Sequence, residues 1–82
     1  MLVFYTSAAK KDLARLSREV CKRILNKVDD YADTPDPLVF AKRLHGDIEA
    51  TYRFHIGDWR VKFEAESNLL IVKRVRHRSR AY

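Results

Sequence analysis

The sequence predicts one α+β domain in which a helical hairpin packs on a mostly antiparallel sheet of four strands, in the order β-α-α-β-β-β. The first half of the 82-residue chain carries apolar residues at helical spacing, whereas the second half alternates apolar and charged residues. Only two Gly and two Pro interrupt these patterns. A chain of this length buries only about 60% of the surface that it exposes when unfolded, so we expect a single domain over residues 1–82.

The first three elements are predicted from apolar spacing and from capping residues. Residues 2–5 are apolar and β-prone, and the hydroxyls of Thr6 and Ser7 can cap a helix that begins near Ala8. Ser17 interrupts this helix and can cap a second one. One face of the second helix is expected to lie in the core. Its residues are Val20, Ile24, Val28 and Tyr31.

Residues 33–47 are predicted to connect the helices to the rest of the sheet. Pro35 and Pro37 end the second helix, because proline disfavours helical geometry in the residue before it. Residues 38–44 are then expected to be a short connecting segment. Residues 45–47, His-Gly-Asp, have the composition of a turn.

A β-hairpin is predicted where the apolar period changes to two. With Gly-Asp at residues 57–58 as a two-residue turn, Arg53 faces Lys62 and His55 faces Arg60 on the same side of the sheet. The other side is apolar. One face of the hairpin is therefore strongly cationic.

The register of the last strand is left open by the pattern. Residues 69–75 are apolar enough to form a strand after the turn at residues 67–68. A two-residue turn pairs Phe63 with Val72, whereas one extra residue pairs it with Ile71 and exchanges the two faces. The pattern thus does not decide which of four residues join the cationic face. They are Arg74, Arg76, His77 and Arg78.

The composition favours an anionic partner in a reducing compartment. The chain has 17 Lys and Arg against 11 Asp and Glu, a formal net charge of +6. No apolar run approaches the roughly 20 residues of a spanning helix, so we predict no membrane association. The lone Cys21 cannot form an internal disulfide, which agrees with the cytoplasm. The histidines show no zinc spacing and no glycine-rich phosphate loop is present, so neither a metal nor a small-molecule cofactor is predicted.

The cationic face is better explained by function than by structure. Like charges on adjacent strands weaken a sheet by about 0.2–1 kcal/mol per pair, which leaves Arg53, His55, Arg60 and Lys62 without a structural reason. These residue types are similar to the catalytic residues of a metal-free ribonuclease, in which arginines hold the phosphate, a base accepts the 2′-hydroxyl proton and an acid protonates the leaving oxygen. We expect the surrounding cations to leave His55 neutral and able to accept a proton. His77 and Tyr82 remain as acids or stacking groups.

Several segments resemble the RelE/ParE superfamily of toxin–antitoxin modules, especially its RelE-like mRNA interferases. Residues 52–54, 57–64 and 74–82 are similar, in order and spacing, to the family pattern YR…GDYRVxYE…RVxHRSxxY. Residues 8–13 and 41–46 are similar to its AKKDL and AKxLxG segments. The resemblance covers nearly the whole chain.

The resemblance implies a RelE-like fold and metal-independent cleavage of mRNA, usually in the ribosomal A site, by attack of the ribose 2′-hydroxyl. It implies that Arg60 holds the scissile phosphate, with Arg78 or Arg76 assisting, and that Tyr82 stacks on a base or transfers a proton. Arg53 and His55 stand where ribosome-dependent members carry lysines, so the general base is not assigned. The full set of predicted catalytic residues is Arg53, His55, Arg60, Arg76, Arg78 and Tyr82. The predicted RNA-binding residues are Lys42, Lys62, Arg74 and His77. The implied partners are an acidic antitoxin, mRNA and the ribosome.

Two other hypotheses remain open within this family. The first is a ParE-like toxin that poisons DNA gyrase and cuts no RNA. The second is an inactive relative that only binds its partner. The nuclease hypothesis requires guanidinium groups from separate strands to converge on one phosphate, and it fails if these groups point in unrelated directions or are held by internal carboxylates.

Overall fold

Two α-helices pack on one face of a five-stranded mixed sheet in the computed structural model, which describes residues 1–81. The elements are β1 (Leu2–Tyr5), α1 (Ser7–Ala14), α2 (Arg18–Ala32), a 3-10 helix (Pro37–Phe40), β2 (Ala41–Arg43), β3 (Tyr52–Ile56), β4 (Trp59–Glu66), β5 (Leu69–His77) and a second 3-10 helix (Arg78–Arg80). The predicted α+β class and element order are confirmed, but the predicted sheet of four strands is wrong by one strand.

The additional strand is β2, within the segment predicted to be a connection. Ala41 lies opposite Phe54 and Arg43 opposite Tyr52, so β2 covers the edge of β3. A strand of three residues is too short to display a period of two, which is why the alternation did not reveal it. The strand order is β1-β5-β4-β3-β2. All pairs are antiparallel except β1 with β5.

Both helices begin at the predicted capping residues. The Thr6 hydroxyl accepts a hydrogen bond from the Ala9 amide at 3.1 Å, and the Ser17 hydroxyl accepts one from the Val20 amide at 3.2 Å. Each cap satisfies one of the amides that have no partner in the first turn of a helix. The caps therefore place the helix boundaries where the sequence predicts them.

The core lies between the helices and one face of the sheet, called here the covered face. Phe54 and Phe63 stack at 4.3 Å between ring centroids, and both are fully buried. Ile24 and Val28 of α2 belong to the same buried cluster. Burial of each such side chain contributes about 1.5–3 kcal/mol, so this face holds the helices to the sheet.

A β-bulge in β5 settles the register that the pattern left open. Phe63 pairs with Val72, as a two-residue turn requires, but Lys62 pairs with Arg74, so Lys73 is an extra residue. Beyond the bulge, Val75 returns to the covered face opposite Val61. The carbonyl of Lys73 accepts a hydrogen bond from the Thr6 hydroxyl at 3.0 Å, which satisfies a group that the bulge removes from the ladder.

Candidate functional site

Cations from four adjacent strands converge on the sheet face opposite the core, called here the open face. Residues paired directly across adjacent strands point to the same side. Two such rows run across the sheet. The first row is Lys42, Arg53, Lys62 and Arg74, and the second is His55, Arg60 and Arg76. Seven of the ten residues predicted to act in catalysis or RNA binding therefore lie together.

The bulge brings Arg74 and Arg76 onto this face. If β5 continued past Val72 in a regular ladder, Lys73 would lie opposite Lys62, and Arg74 would lie opposite Val61 and turn toward the core. In the structure Arg74 lies opposite Lys62, and Arg76 lies opposite Arg60. A local irregularity of β5 thus completes both rows.

A loop between β2 and β3, residues 44–51, places two carboxylates against the first row. This segment is called the acidic loop. The Lys62 ammonium lies 2.7 Å from Asp47 Oδ2 and 3.1 Å from Glu49 Oε1, and the whole residue is only 2% exposed. The other Asp47 oxygen accepts hydrogen bonds from the amides of Glu49 and Ala50 at 2.8 and 3.2 Å, which shapes the loop. The loop is closed by the Leu44 amide, which donates to the Thr51 carbonyl at 2.7 Å.

Glu49 contacts three cations of the open face at once. Besides Lys62, its carboxylate accepts hydrogen bonds from two guanidinium nitrogens of Arg76 and lies 3.8 Å from Arg74 Nη1. The bonds from Arg76, and secondarily those from Lys62, lower the pKa of Glu49. Burial alone favours neutral Lys62, but its bonds to Asp47 and Glu49 outweigh burial and raise its pKa. Glu49 and Lys62 are therefore both charged near neutral pH.

Asp12 of α1 binds the end of the first row from the edge of the sheet. It accepts two hydrogen bonds from the Arg74 guanidinium, at 2.9 and 3.0 Å, and one from the Val75 amide at 2.9 Å. Burial raises the pKa of Asp12, but the bonds from Arg74 and Val75 outweigh it and hold the pKa below its ordinary value. Asp12 thus joins α1 to the strand that carries Arg74 and Arg76.

Arg60 lies at the centre of the second row and is bound to the main chain. Its Nη1 donates to the carbonyls of Gly57 and Trp59 at 3.0 and 3.1 Å. Arg60 is 9% exposed. These bonds hold the guanidinium against the main chain of the turn. Arg60 lies directly across the strand pair from His55, which is exposed.

The remaining predicted residues lie apart from the two rows. His77 pairs with Trp59 on the side of the sheet that carries the core, and their rings meet edge to face at 5.2 Å. Arg78 begins the second 3-10 helix, is largely exposed and lies 3.7 Å from Asp58. Tyr82, predicted to stack or to transfer a proton, lies outside the described residues.

Three carboxylates of the site, Asp12, Asp47 and Glu49, were missed by the sequence interpretation. No motif marks them, because their roles depend on the fold of a loop and on the docking of a helix. One available signal was the Asp-Ile-Glu run at residues 47–49, between Gly46 and a cationic strand.

Within residues 1–81, no three His, Cys, Asp or Glu side chains are placed to hold a metal ion together. Over the same residues, neither helix has the length and apolar character needed to cross a bilayer.

The family model for the ParE toxin of the type II toxin–antitoxin system, parDE, matches residues 3–82. The chain belongs to this family. It is a toxin of a type II toxin–antitoxin module in the RelE/ParE superfamily, as the resemblance implied. Among curated proteins, none matches the sequence significantly.

Solved structures with the same fold come from both bacteria and archaea. The toxin–antitoxin complex RelBE2 of Mycobacterium tuberculosis has a chain with a TM-score of 0.80 and 22% identity, covering 93% of this toxin and 95% of that chain. The archaeal RelE–RelB complex of Pyrococcus horikoshii gives a TM-score of 0.74 and 25% identity, covering 98% and 97%. The RelB–RelE complex of Methanococcus jannaschii gives 0.70 and 22%, covering 93% and 91%. The RelE-like fold is confirmed by these similarities.

Proposed function

We propose that this toxin is a metal-independent endoribonuclease that cleaves mRNA, on the ribosome, and so inhibits translation in the cytoplasm. The observation that carries the proposal is the pair of cationic rows, which brings residues of β2, β3, β4 and β5 together on the open face. Paired like charges on adjacent strands destabilise a sheet, and a phosphodiester is the ligand class that would compensate them.

The proposed reaction requires no group beyond the RNA and the side chains of the site. The ribose 2′-oxygen attacks phosphorus and forms the P–O2′ bond, while the P–O5′ bond breaks and the 5′-oxygen takes up a proton. Arg60, with Arg76 and Arg78, is proposed to stabilise the charge that develops on the phosphate oxygens. His55 is proposed to accept the 2′-hydroxyl proton, Arg53 to add positive charge beside it, and Tyr82 to protonate the leaving oxygen or stack on a base.

The remaining cations are proposed to bind the RNA strand on either side of the scissile phosphate. These residues are Lys42, Lys62 and Arg74 of the open face, and His77, which pairs with Trp59 on the other side of the sheet and is proposed to contact the RNA beyond the end of β5. Lys62, Arg74 and Arg76 are already bound to carboxylates. For Arg74 and Arg76 these contacts meet the condition set against the nuclease hypothesis. The proposal therefore depends on Arg60, which donates to main-chain carbonyls instead, and on RNA replacing the carboxylates at the other cations.

Substitution of Arg60 tests the proposal directly. In a translation extract, Arg60→Ala is expected to reduce mRNA cleavage by about 100-fold or more, the usual cost of removing a donor that stabilises transition-state charge. Arg60→Lys should also be defective, because lysine lacks the planar fork. Arg18→Ala on α2 is the matched control and should cleave normally, since Arg18 is exposed and lies outside the sheet. Thermal unfolding would verify that the Arg60 variants are folded.

A chemical control tests the nucleophile. An RNA with a 2′-deoxy sugar at the cleaved position should resist the toxin, and the ordinary product should carry a 2′,3′-cyclic phosphate. Cleavage of the deoxy substrate, or undiminished cleavage by Arg60→Ala, would contradict the proposal.

A gyrase poison on the same scaffold is the second candidate. It is favoured by the family match, which is to ParE, and by the carboxylates that already neutralise three cations of the open face. Induction of the toxin separates the two candidates: cut messages with arrested translation support the ribonuclease, whereas double-strand DNA breaks and inhibited supercoiling support the gyrase poison.

The proposed partner is an acidic antitoxin. The three solved structures above are the toxin–antitoxin complexes RelBE2, RelB–RelE and RelE–RelB. The formal net charge of +6 would favour an acidic partner. Co-expression with the product of an adjacent reading frame should relieve growth arrest and yield a complex that survives size-exclusion chromatography.

A further inference from the structure

The acidic loop places the Glu49 carboxylate against the most cationic part of the open face. The carboxylate is bound there as an anionic ligand would be bound. Glu49 is bound by two nitrogens of the Arg76 guanidinium and by the Lys62 ammonium. Planar guanidinium groups bind carboxylates and phosphates with the same pair of parallel hydrogen bonds. Glu49 therefore occupies a position that would suit a phosphate group.

The carboxylates also complete a site that is otherwise costly to bury. Lys62 is 2% exposed, and removing both partners of a buried ammonium would leave an uncompensated charge. The loop can leave only if another anion takes its place. The contacts of Asp47 and Glu49 are in this sense exchangeable with those of an oligophosphate.

Little in the loop itself opposes such an exchange. Ile48 at its tip is 99% exposed and contributes nothing to the core. The bond between Leu44 and Thr51 closes the base of the loop, so the residues between them can move while β2 and β3 stay paired. Because the loop has few buried apolar contacts, the free-energy cost of opening it lies mainly in the ion pairs of Asp47 and Glu49, which an incoming anion would replace.

We propose that Asp47 and Glu49 occupy an oligophosphate-binding site formed by Lys62, Arg74 and Arg76, and that a phosphate ligand enters it by displacing the acidic loop. The inference rests on the proposed function for its ligand class, phosphodiesters, but concerns binding alone. The loop competes intramolecularly with the ligand for the same cations. It therefore lowers the affinity of the open face for any polyanion that binds these cations.

Binding of inorganic tripolyphosphate tests this inference without RNA. Isothermal titration calorimetry would compare the wild type with Asp47→Asn, Glu49→Gln and the double variant. We expect the double variant to bind about tenfold more tightly than the wild type, and each single variant to lie between. Glu19→Gln is the control, because it removes the same charge from an exposed position on α2. The inference would be overturned if Glu49→Gln gained no more affinity than Glu19→Gln, or if the double variant, which removes two charges, gained no more than twice the binding free energy that Glu19→Gln gains.

The wild type provides a test that does not depend on the folding of any variant. In ¹H–¹⁵N spectra, tripolyphosphate should shift the amide resonances of residues 45–50 together with those of Lys62, Arg74 and Arg76. Shifts at the three cations without movement of the loop resonances, or no shifts at either, would overturn the inference. Tripolyphosphate contains no ribose, so loss of the ribonuclease hypothesis in the cleavage assay would leave this result intact.

Discussion

The two faces of the sheet are stabilised by different physical means. On the covered face, Phe54 and Phe63 are fully buried and stack with each other against α2. On the open face, buried Lys62 and half-buried Arg74 and Arg76 are held by carboxylates. Apolar burial depends little on pH or salt, whereas ion pairs depend on both. The covered face therefore maintains the fold, and the open face is the one that conditions and ligands can rearrange.

The largest effect is expected on the covered face. Phe54→Ala should lower the free energy of unfolding by about 3–5 kcal/mol, because it leaves a cavity in the core. Phe4→Ala is the matched control, since Phe4 is 56% exposed, and it should cost less than about 1 kcal/mol. Urea denaturation measures both. Phe54→Leu offers a milder variant if the alanine protein does not fold. Equal losses of unfolding free energy in Phe54→Ala and Phe4→Ala would contradict the conclusion that the covered face maintains the fold.

An intermediate effect is expected where the two faces meet, at Asp12. Asp12→Asn should lower the free energy of unfolding by about 2–3 kcal/mol, because Arg74 loses its charged partner and the Val75 amide depends on the remaining oxygen. Asp30→Asn on α2, which is exposed, is the control and should change stability by less than about 0.5 kcal/mol. A neutral Asp12→Asn would show that α1 is held by its apolar residues alone.

The carboxylates also predict the direction of the acid response. The pKa values of Asp12, Asp47 and Glu49 are lowered in the folded protein from ordinary values of 3.8, 3.8 and 4.5. The unfolded chain then binds protons more readily, so the stabilisation is complete above about pH 5 and is lost as the pH falls through the folded values. Urea midpoints measured between pH 7 and pH 3 should decline. The decline should be shallower for the Asp47→Asn, Glu49→Gln double variant, and an identical slope would contradict this origin.

The smallest effect on stability is expected at His55 on the open face. His55 is exposed, so His55→Ala should change the free energy of unfolding by no more than about 0.5 kcal/mol. If His55 acts as the proposed base, the same variant should lose mRNA cleavage by about 100-fold. Arg18→Ala, on α2 and outside the sheet, is the control for cleavage. Loss of stability without loss of cleavage would reverse the roles assigned to this face.

Local chemistry explains which parts of the fold were predictable. The two helix caps and the hairpin register depend on neighbouring residues, and the structure has Thr6, Ser17 and the Arg53–Lys62 pair as predicted. The short strand β2 forms only because β3 offers it an edge. Its presence is a property of the assembled sheet and not of its three residues.

The sequence carries almost no signal for either the bulge or the acidic loop. Residues 69–72 are all apolar, so Val75 lies at an odd interval from Val72 but at an even one from Ile71, and the pattern does not show with which of them it shares a face. The contacts of Asp47 and Glu49 with Lys62 span 15 and 13 residues and depend on the path of a loop. The cationic face could therefore be predicted, but its internal anions could not.

The bulge also defines where the length of β5 can vary. Loss of Lys73 would close the ladder with Phe63 opposite Val72 and Lys62 opposite Arg74, as they are now paired, so both faces would keep their residues. Deletion of one residue from a regular part of β5 would instead move the residues beyond it to the opposite faces, unless the loss of the bulge restored the register. We expect homologous toxins to tolerate a one-residue gap at this point, at the cost of the hydrogen bond from Thr6.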